Sequence, residues 1–229
     1  MNLELKDVQV RLGKQLILNQ LRLEVPQGEI LGLMAPNGTG KTTLFRAIAN
    51  LIGCQEGTIE INGYQSKERE KYFQQLFFLE NNESLMTNLT PETNLAYVKK
   101  MWQSPLEVRD VINRLGMEKY RKKPVKHLSL GMKQHLLIGM YLISDAPVLL
   151  FDEPLNGLDL GSVELVNSLF QRLHQQGKTV MITSHNLHHL QKVCQRVIFM
   201  KDKKISHSTT NLQIISEIYR ELYMIKEGE

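Results

Sequence analysis

The sequence predicts an α/β fold with a largely parallel β-sheet, a smaller antiparallel β-sheet near the N-terminus and a helical segment inserted between strands. Three observations lead to this expectation. Apolar runs without polar alternation at 148–151 and 179–183 are separated by helical patterns, which is typical of parallel strands covered on both faces. Residues 2–10 and 16–25 alternate between apolar and polar, which favours antiparallel strands. Residues 91–125 have a helical composition and interrupt the series of strands.

The other elements of the N-terminal half follow in chain order. Gly13 marks the turn between the first two strands, and 58–63 is a further alternating strand that ends in a turn signal. The polar stretch 64–76 predicts a surface helix, and 76–79 predicts a buried strand. The helical segment is expected to start at Thr90-Pro91-Glu92, because a capping residue, a proline and an acid favour a helix N-terminus.

Gly116 is expected to separate two helices of that segment. Further helices are predicted at 162–175 and 187–195, a buried strand at 197–200, and an amphipathic helix around 214–225. We expect a single domain over residues 1–229. Its predicted parts are an α/β core at about 1–80 and 146–205, a helical subdomain at about 81–145, and a helical tail at 206–229.

Composition excludes several classes of protein. The chain has 229 residues, of which 42% are hydrophobic and 23% are charged, so it can bury a core and global disorder is not expected. A net charge of +4 is too mild to indicate a nucleic-acid-binding protein by itself. Two cysteines, Cys54 and Cys194, are too few for a disulfide framework. Residues 1–7 lack the features of a signal peptide, and no apolar run reaches the length of a membrane span, which predicts a cytosolic chain.

Residues 35–43 carry the strongest functional signal. They follow the apolar strand 30–34, precede the helical pattern 44–52 and contain Gly-Lys-Thr at the joint, which is the phosphate-binding loop called Walker A. In such a loop, backbone N–H groups and a helix N-terminus surround a phosphate chain. The residues expected to bind the nucleotide are Asn37, Gly38, Thr39, Gly40, Lys41, Thr42 and Thr43.

Two side chains of the loop have specific expected roles, and one position departs from the usual pattern. Lys41 supplies a full positive charge, and Thr42 offers a hydroxyl to Mg²⁺. Ala35 replaces the first glycine of the pattern, which would cost about 1 kcal/mol if that position required a positive φ. The alternative interpretation is a glycine-rich turn that enters an ordinary helix.

A second motif narrows the chemistry. The apolar strand 148–151 ends in two carboxylates, Asp152 and Glu153. A carboxylate at the end of a neighbouring strand can hold Mg²⁺ opposite Thr42, so Asp152 is the expected metal ligand. Glu153 is then placed to accept a proton from an attacking water. The alternative is a pair of acids at the surface end of a strand. Together with the phosphate-binding loop, this motif predicts the core of a P-loop NTPase.

A third motif, Leu128-Ser129-Leu130-Gly131-Met132-Lys133-Gln134, opens a helix that is expected to run to about Ser144. Ser129 and the backbone at Gly131 lie beside a helix N-terminus and can bind an anion. Alone, this segment would be interpreted as a capped helix. In its place before the acidic strand, however, it completes an ordered set of motifs.

The chain resembles the nucleotide-binding subunits of ABC transporters from Leu3 to about Ile205. The ordered motifs are the phosphate-binding loop, a glutamine loop near 80–82, the signature motif 128–134, the acidic strand, a D-loop at 156–159 and a switch histidine, His185. The resemblance implies that Ser129 and Gly131 contact the terminal phosphate of ATP bound to a second, head-to-tail copy. It also implies that His185 senses that phosphate and that Asp159 couples the two sites.

Departures from the family pattern add detail. Leu130 and Met132 resemble the branch that drives efflux of antibiotics, bacteriocins or drugs. Leu12 replaces the aromatic residue that stacks on adenine, so an aliphatic contact is expected there. At the glutamine loop, Asn81 takes the glutamine position as a possible third metal ligand, and Glu80 precedes it; which of them faces the metal is left open.

Three other features of the sequence each have two interpretations. A metal site at His185 and His189 is the weaker reading; the better one is that His188 and His189 lie on an exposed helix after the switch. The lysine-rich stretch 119–126 predicts a solvated face, or a contact with a membrane domain or anionic headgroups. Met101-Trp102 is either core or part of a groove for a permease.

The sequence thus predicts an ATP-hydrolysing subunit that uses ATP and Mg²⁺ and forms a homodimer or pairs with a related ATPase. It is expected to drive a separately encoded permease from the cytoplasmic face of the membrane. Efflux is the favoured direction of transport. The rival hypothesis is a nucleotide-gated regulatory module with weak hydrolysis, supported by Ala35, Leu12 and Asn81. A third possibility, an ABC-type ATPase that acts on nucleic acid, is disfavoured because the chain lacks a coiled-coil insertion or a tandem second cassette; no nucleic-acid partner is expected.

Overall fold

The computed structural model describes residues 2–224 and arranges them around two β-sheets. The strands are β1 (Asn2–Leu12), β2 (Gln15–Pro26), β3 (Ile30–Met34), β4 (Glu56–Ile61), β5 (Tyr64–Gln65), β6 (Leu76–Phe78), β7 (Val148–Asp152), β8 (Thr179–Thr183), β9 (Arg196–Lys201) and β10 (Lys204–Thr209). The α-helices are α1 (Lys41–Ile48), α2 (Arg69–Phe73), α3 (Pro91–Trp102), α4 (Val108–Arg114), α5 (Leu130–Ser144), α6 (Leu160–Gln175), α7 (Leu187–Val193) and α8 (Ile215–Tyr223).

The first sheet is antiparallel, in the order β2-β1-β4-β5. Its alternating sequence buries one face, with Leu3, Leu5, Ile59 and Ile61 in the core. This confirms the antiparallel strands expected from the alternation.

The second sheet has the order β10-β9-β3-β8-β7-β6. Strands β9, β3, β8, β7 and β6 are parallel, and β10 pairs with β9 in the antiparallel direction. Every residue of β3 and β8 is buried, because successive side chains enter two different cores. One core lies against α1 and the first sheet, and the other lies against the helices that include α5, α6 and α7. The mixed, largely parallel α/β fold is therefore confirmed.

The helical segment differs from its prediction at Gly116. The chain leaves α3 at Gln103, which has a left-handed φ of 49°, and α4 begins only at Val108. Gly116 instead follows the end of α4 with a φ of +65°. The expectation that Gly116 separates two helices was wrong. Pro105 explains part of the difference, because a proline disfavours helical geometry in the residue before it.

Other differences are smaller. The surface helix expected over 64–76 is only α2, preceded by the short strand β5. Strand β10 was not predicted, because its exposed, polar sequence lies at the edge of the sheet. The predicted tail helix corresponds to α8, and residue 225 lies outside the described residues. Trp102 packs edge-to-face on Phe77, with ring centroids 5.5 Å apart.

Candidate active site

Residues 35–40 connect the buried strand β3 to α1 as a tight loop. Gly38 and Gly40 have φ values of 79° and 104°, which favour glycine. A Cβ at Gly40 would also come within 3.0 Å of the Cγ2 atom of Ile17. The backbone geometry at these two positions therefore explains the glycines, and it brings the N-terminus of α1 to the edge of the parallel sheet.

Lys41 is the first residue of α1, and its side chain turns back into the loop. It is only 8% exposed, and Nζ donates hydrogen bonds to the carbonyl oxygens of Ala35 at 2.7 Å and Pro36 at 3.1 Å. Burial lowers the pKa of Lys41, while the negative charges of Glu153 and Asp152 act in the opposite direction. The ammonium group is thus held inside the loop, where a phosphate chain would need it.

Ala35 shows why its departure from the glycine pattern is tolerated. Its φ lies outside the left-handed region, and its side chain is buried at 2% exposure. An alanine at this position therefore does not incur the free-energy cost of a positive φ.

Asp152 ends β7 and connects the loop with the neighbouring strand. Its Oδ2 accepts a hydrogen bond from Thr42 Oγ1 at 2.7 Å, and its Oδ1 accepts one from Thr183 Oγ1 at 2.5 Å. Thr183 is the register partner of Asp152 across β7 and β8. Carboxylate and hydroxyl oxygens are the ligands that Mg²⁺ prefers, so this cluster fits a magnesium ion.

Glu153 follows Asp152 in a left-handed conformation, with φ 48°, which costs a non-glycine residue about 1 kcal/mol. Its backbone N–H donates to Thr183 Oγ1 at 2.8 Å. Its side chain contacts His185, whose Nδ1 atom lies 2.9 Å from Oε2 of Glu153. The turn at Glu153 thus directs its carboxylate toward His185.

The phosphate-binding loop, Asp152 and Glu153 border one cleft of about 450 Å³. The lining residues are Ile17, Asn37, Gly38, Gly40, Lys41, Thr42, Thr43, Glu80, Asn81, Asp152, Glu153 and Asn156. Thr39 belongs to the loop but does not line the cleft; its hydroxyl donates to the carbonyl of Pro36 at 2.8 Å. Ile17 was not predicted as a site residue, because an apolar residue in an alternating strand carries no signal for a ligand.

Comparisons with known proteins agree with this geometry. Residues 18–156 match the family described as ABC transporter. The lantibiotic transport ATP-binding protein SrtF of Streptococcus pyogenes is 30% identical over 204 residues, which cover 89% of this chain and 88% of SrtF. The chain belongs to the ABC transporter family. As an ATP-binding subunit of that family, it is an ATPase.

Two further comparisons extend the likeness over the whole ATPase. The ABC transporter ATP-binding protein NatA of Bacillus subtilis is 30% identical over 195 residues, covering 82% of this chain and 79% of NatA. A solved structure described as an ATP-binding subunit of an ABC transporter superposes with a TM-score of 0.86 and 24% identity, covering 98% of each chain. The latter likeness shows that the fold is that of an ABC ATPase.

The glutamine loop of this ABC ATPase has two polar side chains in the cleft. Glu80 accepts hydrogen bonds from Arg46 Nε at 2.9 Å and from Arg46 Nη2 at 2.5 Å. Asn81 Oδ1 accepts a bond from the N–H of Glu83 at 2.9 Å and so caps a short 3₁₀ helix. Arg46, which the sequence did not single out, therefore already pairs with the Glu80 carboxylate. Asn81 is the uncharged candidate ligand for the metal.

Six predicted residues do not line the cleft: Leu12, Thr39, Ser129, Gly131, Asp159 and His185. His185 borders a neighbouring pocket that it shares with Glu153 and Asn156. Leu12 is 45% exposed at the end of β1. Ser129 caps α5 by accepting a bond from the N–H of Met132 at 3.3 Å, which confirms the expected start of that helix.

Asp159 caps α6. Its Oδ1 accepts a bond from the N–H of Ser162 at 2.8 Å, and hydrogen bonds from Ser162 lower its pKa. Like Ser129, it lies outside the cleft on this chain.

His189 corrects one expectation. His188 is exposed on α7 as expected, but His189 is 3% exposed, and burial, followed by the charge of His188, lowers its pKa to about 4. The reason is the amphipathic face of α7, which turns His189 toward Phe170, with ring centroids 6.0 Å apart.

Within residues 2–224, we find no group of three or more metal-ligating side chains and no helix with the length and apolarity to span a membrane.

Proposed function

We propose that this ABC ATPase binds Mg-ATP in the cleft above α1 and hydrolyses it to drive a membrane permease. The observation that carries the proposal is the convergence of the Walker A loop, Asp152 and Glu153 on one cleft, with His185 in contact with Glu153. Lys41 and the backbone N–H groups at the start of α1 would bind the phosphates. Mg²⁺ held by Thr42, Asp152 and Asn81 would neutralise charge on the phosphate oxygens.

Glu153 is the proposed general base. Its carboxylate borders the cleft and would accept a proton from the attacking water. His185, in contact with Glu153 Oε2, would orient that water and stabilise charge on the transferred phosphoryl group. Lys41 would stabilise the same charge from the opposite side of the phosphate.

A second copy would complete each site. Ser129 and Gly131 lie outside the cleft of their own chain, at the exposed N-terminus of α5, where an anion can be bound. In a head-to-tail dimer they would contact the terminal phosphate of ATP bound to the other copy. Asp159, at the N-terminus of α6, would lie between the two sites and couple them.

The adenine contact is proposed to be aliphatic. Leu12 is exposed at the end of β1, and Ile17 on β2 lines the phosphate cleft. Both provide dispersion contacts without aromatic stacking, so we expect weak discrimination between purine bases.

The transported cargo is proposed to be a peptide, an antibiotic or a drug that leaves the cell. Support comes from the relative SrtF, whose name describes lantibiotic transport, and from Leu130 and Met132 in the signature motif. We propose that the ATPase lies on the cytoplasmic face of the membrane, attached to its permease. A nucleic-acid partner is not part of the proposal.

The decisive experiment measures steady-state phosphate release by the purified ATPase, alone and with the permease encoded beside it. We expect Mg²⁺-dependent turnover that rises when the permease is present. ATP-dependent dimerisation with negligible turnover in both conditions would instead support the rival, a nucleotide-gated regulatory module. Salt-sensitive stimulation by DNA or RNA would contradict the transport proposal.

A further inference from the structure

We propose that Tyr141, on the helix that follows the signature motif, is a positioning residue that sets the gap between the glutamine loop and the acidic strand. This inference rests on the proposed function for its catalytic consequence, but not for its structural content. Tyr141 is 1% exposed and lies in the fourth turn of α5, away from the nucleotide cleft. Its hydroxyl contacts two backbone segments that both lead into the cleft.

The hydroxyl bridges the two strands where their pairing ends. Strands β6 and β7 pair in parallel as far as Phe78 and Leu150. Beyond that point, the N–H of Leu79 donates to Tyr141 Oη at 2.9 Å, and Oη donates to the carbonyl of Leu150 at 2.5 Å. The Leu79 carbonyl, 2.9 Å from the same oxygen, is a second possible acceptor for its one proton. A side-chain oxygen thus bridges a main-chain donor and a main-chain acceptor of the diverging strands.

The residues proposed to hold Mg²⁺ follow shortly after this bridge in both segments. Asn81 lies two residues beyond Leu79, and Asp152 lies two residues beyond Leu150. Because each backbone has little freedom over two residues, the bridge sets how far apart the amide of Asn81 and the carboxylate of Asp152 lie. A metal ion requires oxygen ligands at nearly fixed distances, so this separation affects its affinity.

A second side chain of α5, Gln134, also connects the glutamine loop with the acidic segment. Gln134 is seven residues before Tyr141 and therefore lies on the same face of the helix. Its Nε2 donates to the carbonyl of Pro154 at 2.8 Å, and its Oε1 accepts from Asn82 Nδ2 at 3.2 Å. Helix α5 therefore contacts the glutamine loop and the acidic segment at two points. Tyr141 binds the backbone before Asn81 and Asp152, and Gln134 binds Asn82 and Pro154 after them.

The ring of Tyr141 is held independently of its hydroxyl. It stacks on Phe151 with centroids 4.0 Å apart and meets Phe77 edge-to-face at 5.0 Å. Burial raises the pKa of Tyr141, so the hydroxyl keeps its proton and remains a donor. Replacement by phenylalanine would therefore retain the aromatic packing and remove only the bridge.

The test compares Tyr141→Phe with Tyr72→Phe in the full-length protein. Tyr72 is a matched control, because it is also buried and its hydroxyl also donates to a backbone carbonyl, that of Ile48 on α1 at 2.6 Å, and not to the backbone of β6 or β7. Both variants should lower the melting temperature by similar amounts. Amide exchange at Leu79, measured by NMR without nucleotide, should be at least tenfold faster only in Tyr141→Phe.

The functional readouts separate positioning from general destabilisation. For Tyr141→Phe we expect the Mg²⁺ concentration that half-saturates nucleotide binding to rise at least threefold, kcat to fall at least fivefold, and KM for ATP to stay within twofold. Tyr72→Phe should leave all three within twofold. Equal effects in both variants would overturn the proposal, as would unchanged Leu79 exchange in Tyr141→Phe.

The proposal can still be tested if Tyr141→Phe does not fold or if the protein has no turnover. In the unmodified protein, the Leu79 amide should exchange as slowly as amides within β6, and rapid exchange would overturn the bridge even if Tyr141→Phe failed to fold. If the unmodified protein binds Mg-ATP without hydrolysing it, the proposed function fails. The exchange and Mg²⁺-binding comparisons still decide the role of Tyr141 in that case.

Discussion

The Nδ1 atom of His185 lies 2.9 Å from Oε2 of Glu153, although 32 positions separate the two residues in the chain. The contact forms because Asp152 and Thr183 end neighbouring parallel strands in register, and the next residues turn toward each other at the same sheet edge. We propose two roles for the pair, a general base and a group that orients the attacking water, and each can be tested separately.

Replacing Glu153 with glutamine should remove the proposed base while keeping the shape of the side chain. We expect ATP affinity within about threefold of the parent and a fall in kcat of at least about 10²-fold, in the range expected for loss of general-base catalysis. ATP-dependent dimers should accumulate, which light scattering would detect. Turnover at the parent rate would show that Glu153 is not the base.

Replacing His185 with alanine should lower kcat by about 10²-fold, because the carboxylate of Glu153 loses its hydrogen-bonding partner. His188→Ala is the matched control, since His188 is exposed on the following helix. Phosphate release by both variants is compared at saturating ATP. An equal loss in the two variants would argue against a specific role for His185.

Ala35→Gly tests the departure in the phosphate-binding loop. Because Ala35 does not adopt a left-handed φ, restoring glycine should change ATP affinity by less than about threefold. The free energy of unfolding should fall by roughly 0.5–1 kcal/mol, since glycine increases the freedom of the unfolded chain. Isothermal calorimetry and chemical denaturation measure the two quantities. A hundredfold change in affinity would show that the loop is more sensitive to this methyl group than its geometry indicates.

The lowered pKa of the buried His189 predicts that the protein loses stability in acid. Its pKa is about 4 in the folded protein and 6.5 for the free group, so between these values the unfolded state binds more protons. The stabilisation is complete above pH 6.5 and is lost as the pH falls toward 4, by about 3 kcal/mol. His189→Gln should flatten this part of the unfolding free-energy profile, whereas His188→Gln should not. Parallel profiles for all three proteins would contradict the assignment.

The fold was predictable from local patterns where those patterns are strong. The apolar runs at β3, β7 and β8 predicted buried parallel strands, and the alternation in β1 and β2 predicted the antiparallel sheet. The edge strand β10 was missed because its polar sequence has no such pattern. Gly116 was misinterpreted because a glycine can end a helix as well as join two helices.

The candidate site was predictable to the extent that its groups lie in short motifs. Gly40-Lys41-Thr42 and Asp152-Glu153 are each contiguous, and the carboxyl ends of parallel strands meet at one edge, so the sequence predicted that they converge. The burial of His189 and the pairing of Arg46 with Glu80 were not predictable, because both depend on which side chains pack nearby.

A Walker A loop followed by a strand with terminal acids could be identified from residue types at fixed short spacings. Three other findings required the three-dimensional structure: Ala35 needs no glycine geometry, Ile17 borders the phosphate cleft, and Tyr141 bridges Leu79 to Leu150. The first depends on a backbone angle, and the others depend on contacts between residues far apart in the chain. Neither a backbone angle nor a long-range contact leaves a periodic signal in a single sequence.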